Sequence, residues 1–388
     1  MNQSNDSTMP PTDNKYRVNL TGQKLVIPDL WPAFSKWKSG TNPHQAGLVE
    51  NVIKPAVERT LLDEQARNEF LGMSCEIWIY PDFPDASAEV LEPVALFTIW
   101  LLLFGDLFVY GSSSLFTPFL LDTETRTKSM EDFLRKYEAW KEEQPADEEE
   151  RRVMEWEPEN DNPEMVMVYT LLDDVRLRLW ERHGVDEEEL KWLDFFVALH
   201  VEERFLLDGI GVMGREFYDD NSKLKILVRR KTTCAVEIIM WFSRVLGGKE
   251  GEMMPSEKER DIEEIRELEL RGKGLGTAFV LINELFTLKK KLENEAECLI
   301  PIIMEERNYD LEAATHSVVQ QIYAAIKYVD EQTAAYKARC EPDVAVKIDR
   351  LVEAYQTIIT STLHFCTSSP WYGLMSHRQE DGSFVITL

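Results

Sequence analysis

The chain has 388 residues and a formal charge of −27, from 70 acidic against 43 basic side chains. That length fits one large domain or two ordinary ones, and a hydrophobic content of 44% is enough for a core. So acidic a balance argues against nucleic acid, which needs clustered Lys and Arg, and against an anionic membrane surface.

Residues 1–25 read as a disordered tail, polar from Met1 to Tyr16, and residues 26–388 as one domain. No signal-peptide core is visible, and Cys75, Cys234, Cys298, Cys340 and Cys366 are odd in number and widely spaced. That usage fits reduced thiols in the cytoplasm, with no zinc-ligand spacing. Val26 to Lys38 carries Pro28, Pro32, Trp31, Phe34 and Trp37 and reads as an extended arm packed on the body. His44 to Met73 has helical spacing, and Cys75 to Tyr80 is a short apolar piece ended by Pro81 and Pro84.

Val94 to Leu103 is almost wholly apolar, and Asp106 follows within the same run. A membrane span with a functional charge is one reading. The uninterrupted apolar run is too short for that, since a span takes about 20 residues. A central helix surrounded by others is the better reading, with Asp106 directed into a cavity; an Asp that caps a helix or bonds a neighbour is the plainer one. Phe97, Trp100 and Phe104 lie a turn or less apart just ahead of it.

Asp122 to Trp156 is charge-rich and reads as a solvated loop. Met165 to Arg182 and Leu190 to Leu207 are predicted helices; Asp173 and Asp174 read as a solvated pair beside Arg176 and Arg178, and His200 as a core histidine. Three bases, Arg229, Arg230 and Lys231, then precede an apolar run that begins beyond Thr233 and Cys234. Leu246 to Lys258 is a Gly- and Pro-containing loop, and Ser256 to Arg271 a charged amphipathic helix. Helices are predicted for Leu281 to Glu297, Leu311 to Cys340 and Val344 to Phe365, before a tail with Trp371 and Arg378.

Within Leu281 to Lys291, Asn283, Thr287 and Lys291 recur at i, i+4 and i+8 and share one face, with Lys290 beside it. Buried polar groups need partners, and a divalent cation with an anionic substrate would supply them.

Four segments, in order, resemble motifs of the class I terpene synthases. Asn283-Glu284-x-x-Thr287 resembles the second metal motif, N-D-x-x-S/T-x-x-x-E. Gly105-Asp106-x-x-Val109 resembles the first, D-D-x-x-D. Leu227-x-Arg229-Arg230 with Thr233-Cys234-Ala235 resembles the segment that senses diphosphate, and Trp371 with Arg378 resembles the closing lid. The departures are Gly105 and Val109 for carboxylates and Lys291 for the last Glu ligand.

The resemblance, nearest to fungal sesquiterpene cyclases of the humulene synthase kind, implies an all-α fold. That fold would be a single large antiparallel helical bundle around a central apolar cavity. It implies Mg2+ as cofactor, with Asp106, Asn283 and Thr287 as ligands. Arg230, Lys290 and Arg378 would hold the diphosphate. Arg230 would be the sensor, Cys234 the effector whose carbonyl faces the allylic carbon, and Lys289 an aid to deprotonation or a diphosphate ligand. Phe97, Trp100, Phe104 and Leu285 would line the cavity. The implied reaction ionises farnesyl diphosphate and closes a macrocyclic hydrocarbon, humulene as the best expectation. Two further readings stand beside it: a protein of this fold that binds prenyl diphosphate without turnover, and a non-enzymatic helical interaction protein. No membrane span and no nucleic acid are expected, and the oligomeric state is open.

Overall fold

The computed structural model describes residues 18–37, 39–40, 42–61, 63–78, 86–109, 163–187, 189–197, 200, 234–246, 274–293 and 298–388. Side chains are described to residue 104 before the first long gap and from residue 170 after it. Alternating exposed and buried residues make β1 (Lys24–Ile27) a short strand with Leu25 and Ile27 inward. A 3-10 turn, Trp31–Phe34, follows, opened by Pro32 in its first turn. The strand begins ahead of the expected domain start at residue 26.

The helical spacing of 44–73 is realised in pieces. Helix α1 (Gln45–Leu48) runs through a π-helical turn (Val49–Ile53) into α2 (Lys54–Thr60). Pro55 lies in the first turn of α2 and can give no N–H to the turn before it, which is where the winding widens. Leu61 is extended and breaks the helix. Helix α3 (Glu64–Gly72) restarts on Asp63, whose carboxylate accepts the Ala66 N–H at 2.8 Å.

Then come α4 (Ala88–Val109), α5 (Pro163–His183), a helical run at 189–197 taken as α6, and α7 (Val236–Leu246). After them stand α8 (Leu275–Glu293), α9 (Leu299–Arg307), α10 (Leu311–Lys337) and α11 (Pro342–Ser368). The stop and start between α9 and α10 are local chemistry. Asn308 turns left-handed at φ 53°, and Asp310 accepts the Ala313 N–H at 2.8 Å. The chain closes on β2 (Phe384–Thr387), antiparallel to β1 with Lys24 opposite Thr387 and Ile27 opposite Phe384.

Two apolar cores divide the molecule. One gathers α8 to α11, both strands and the Val236, Ile239 and Met240 face of α7. The other gathers α1 to α6 and the Ile238, Trp241, Phe242 and Leu246 face of α7. Helix α7 is therefore shared, and Trp78 packs on both cores. Arg244 fixes α7 to α6 with two bonds to the Glu189 carboxylate, 3.1 and 2.8 Å, joined by the Trp241 indole at 3.3 Å. Helix α8 lies against α10 and α11 and is buried on nearly every side, so it is the axis of the first core. Among the described residues no helix is long and apolar enough to cross a membrane. All five cysteines are outside disulfides.

Candidate functional site

Cys234 and Asn283 come from segments 49 residues apart, and the fold sets them face to face. The Cys234 thiol lies 4.0 Å from the Asn283 carboxamide oxygen. The turn that delivers Cys234 is strained. Ala235, wholly buried, has φ 55°, a left-handed conformation that disfavours any Cβ. Its carbonyl accepts the Ile239 N–H at 3.0 Å, so α7 begins immediately beyond it. A helix start broken at this point turns the Cys234 peptide out of the helical ladder. Cys366 of α11 belongs to the same neighbourhood: burial pushes its thiol up, Cys234 raises it further, and the Lys291 ammonium draws it down.

The polar stripe of α8 is used in an unexpected way. Thr287 donates its hydroxyl proton to the Asn283 carbonyl at 2.5 Å. Lys291 turns to Glu284 and forms a buried ion pair at 2.5 Å, the two residues 7% and 1% exposed. The other Glu284 oxygen accepts the Leu299 N–H at 3.0 Å, at the start of α9. Both carboxylate oxygens thus have partners on the protein. Magnesium is ordinarily held by one or two carboxylates together with phosphate oxygens. On this stripe Asn283 and Thr287 offer two neutral oxygens and Lys291 an ammonium, so the donor set does not fit magnesium. Among the described residues no three His, Cys, Asp or Glu side chains gather as a metal site.

Near the end of α8, Phe286, Lys289, Lys290 and Glu293 line a groove of about 690 Å3, walled by α3, α8 and the segment after α11; Asn283, Thr287 and Lys291 are not among its lining residues. Lys290, seven residues on from Asn283, lies about 10 Å further along the axis at 1.5 Å per residue. Its ammonium sits over the face of Trp371. Trp371 is placed by Ser369, whose hydroxyl accepts the Trp371 N–H at 3.2 Å and donates to the Met73 carbonyl at 2.6 Å. Lys289, Glu293, Glu69 and His377 also line the groove. Two basic residues in the last turn of α8, Lys290 and Lys291, lie at the negative end of its dipole, which favours them there.

The remaining expected residues are placed as follows. Arg230 lies outside the described residues, and for Asp106 only the backbone, inside α4, is described. Arg378 is exposed, pairs by its backbone with Phe384 and is not among the groove residues, whereas its neighbour His377 is. Phe97, Trp100 and Phe104 are buried as one stack, with centroids 5.3 and 5.2 Å apart, and Phe97 meets Phe242 at 4.9 Å. His200 is buried beside Trp100 and Phe104, a core histidine as expected. Leu285 is fully buried in the other core, between α8 and its neighbours.

The Asp173–Asp174 pair is only partly solvated. Asp174 pairs with Arg59 at 3.1 Å, while burial raises Asp173. Asp194 of α6 stands close by, paired to Arg176 at 3.0 Å and pushed up to about 6 by burial in spite of that partner. Sequence reasoning missed Glu284 as the partner of Lys291 and Trp371 as the platform of Lys290. The i, i+7 spacing of Glu284 and Lys291 was the available signal for the first.

No protein-family model matches the chain, and no curated protein matches it in sequence. Solved structures do match. Germacradien-4-ol synthase from Streptomyces citricolor is 14% identical, with a TM-score of 0.61 over 86% of this chain and 97% of that one. Linalool/nerolidol synthase from Streptomyces clavuligerus is 13% identical, with a TM-score of 0.61 over 84% and 97%. A cucumene synthase variant is 13% identical, with a TM-score of 0.61 over 87% and 98%. The chain therefore has the all-α fold of the class I terpene synthases.

Proposed function

We propose that the protein is a terpene cyclase acting on a prenyl diphosphate, with farnesyl diphosphate as substrate and a macrocyclic sesquiterpene, humulene in first place, as product. In reaction class it is a carbon–oxygen lyase that releases diphosphate. The observation that carries this reading is the approach of Cys234 to Asn283 across the strained Ala235 turn. Two segments matched independently to one family's site meet in space, on a fold shared with that family.

The chain's own groups fit the task. Lys290 and Lys289 present ammonium groups at the rim, where a diphosphate oxygen would be met by donors that strengthen as charge develops. Trp371 sets its ring face against the Lys290 ammonium and holds it at that rim. The Cys234 carbonyl is the dipole proposed to face the allylic carbon. The Phe97–Trp100–Phe104 stack supplies π faces for a migrating cation. Arg230 and Arg378 are proposed as further diphosphate ligands. Magnesium, the cofactor that the resemblance implies, is proposed at the Asp106 end of α4 alone.

A second reading, retention of prenyl diphosphate without turnover, is favoured by one observation, the Lys291–Glu284 pair at a place where metal-assisted ionisation needs a carboxylate. Incubating the purified protein with farnesyl diphosphate and magnesium separates the two readings. A cyclic hydrocarbon in the volatile extract supports the cyclase; unchanged substrate that co-elutes with the protein supports retention.

A further inference from the structure

We infer that helix α8 carries no divalent cation, because the carboxylate beside its Asn283–Thr287 stripe, Glu284, is taken up by the Lys291 ammonium. This rests on the reading of the site as a diphosphate site. Three observations point the same way. Lys291 shares a helix face with Asn283 and Thr287, two turns beyond Asn283. Its side chain is 9% exposed and turned to Glu284 at 2.5 Å, so it is held inside the fold instead of extending into water. The Glu284 carboxylate is committed twice over, to Lys291 and to the Leu299 N–H.

A divalent ion on this wall would meet two neutral oxygens and a neighbouring like charge. Release of Glu284 to serve it would strip the start of α9 of its acceptor and take the carboxylate from a buried ammonium.

The test counts bound Mn2+ by the loss of its free electron paramagnetic resonance signal, with and without inorganic pyrophosphate. The variant Glu284→Gln with Lys291→Glu keeps an acceptor for the Leu299 N–H and sets an unpaired carboxylate at position 291, on the Asn283 and Thr287 face. It should bind one Mn2+ more per chain than the wild type in the presence of pyrophosphate; equal counts would overturn the inference.

A second variant guards against misfolding of the first. Asn283→Ala with Thr287→Val removes both neutral oxygens of the stripe while approximately keeping the volume at position 287. The count and the affinity for Mn2+ should then stay within twofold of wild type. Loss of an ion, or weakening beyond that, overturns the assignment. Calorimetric titration of the wild type with pyrophosphate tests the diphosphate reading separately, since the ion counts on α8 are compared without pyrophosphate as well.

Discussion

Ala235 holds a backbone conformation that glycine would adopt without strain. Ala235→Gly should raise stability by about 0.5–1 kcal/mol, the relieved strain being partly offset by the greater freedom of glycine in the unfolded chain. Urea unfolding measures this, and a loss of stability would mean that the methyl group packs better than its backbone strain suggests. Asp194 gives a pH signature. Its carboxyl titrates at about 6 in the fold against an ordinary value of 3.8, so between those values the folded protein binds a proton that the unfolded chain has released. The raised value makes its contribution fully present at low pH and lost as pH rises through 6, by roughly 2–3 kcal/mol. Unfolding measured from pH 4 to 7 should fall along this course in the wild type relative to Asp194→Asn; parallel curves would contradict it.

Helix α8 was legible as a helix from Leu281 onward, though it starts at Leu275 and its burial on almost all sides was not foreseen. What its polar residues do was legible only in part. The shared face of Asn283, Thr287 and Lys291 follows from helical geometry. The turn of Lys291 toward Glu284 depends on a backbone N–H supplied by Leu299, beyond the helix end. Breaking the pair with Lys291→Met should cost about 3–5 kcal/mol, because Glu284 is left charged and buried; the double variant with Glu284→Gln should recover part of it. Thermal and urea unfolding of the three proteins check this, and a single variant as stable as wild type would mean that Glu284 accepts a proton or a water at no penalty. The helices at 44–73 show a different limit. Their spacing is helical throughout, but Pro55 and the extended Leu61 divide them, and periodicity does not weigh such local breaks.

At the scale of the whole molecule, two cores meet along α7, and the Cys234–Asn283 contact lies on their boundary. The class of fold was readable from the order of the motif-like segments and the resemblance they carry, while the clasp of β1 on β2 was missed. Each strand is four residues long, and only their alternation, Leu25 and Ile27 inward and Phe384 and Ile386 inward, marks them. The clasp has one exacting position. Gly382 has φ 84°, and a Cβ there would lie 2.7 Å from the Asp29 carboxylate, which accepts the Trp31 N–H. Gly382→Ala should destabilise by more than about 1 kcal/mol and loosen both chain ends, read as faster hydrogen exchange at residues 24–27 and 384–387.

The central claim is that a prenyl diphosphate lies between the cores against Cys234. It is tested most directly by alkylation rates at single cysteines, read by mass spectrometry, with and without farnesyl diphosphate in the absence of divalent ions. Cys234 and Cys340 are both partly accessible, which makes Cys340 the internal control. The account predicts at least tenfold slower labelling of Cys234 when the substrate is present and an unchanged rate at Cys340. Equal labelling of Cys234 in both conditions would contradict it.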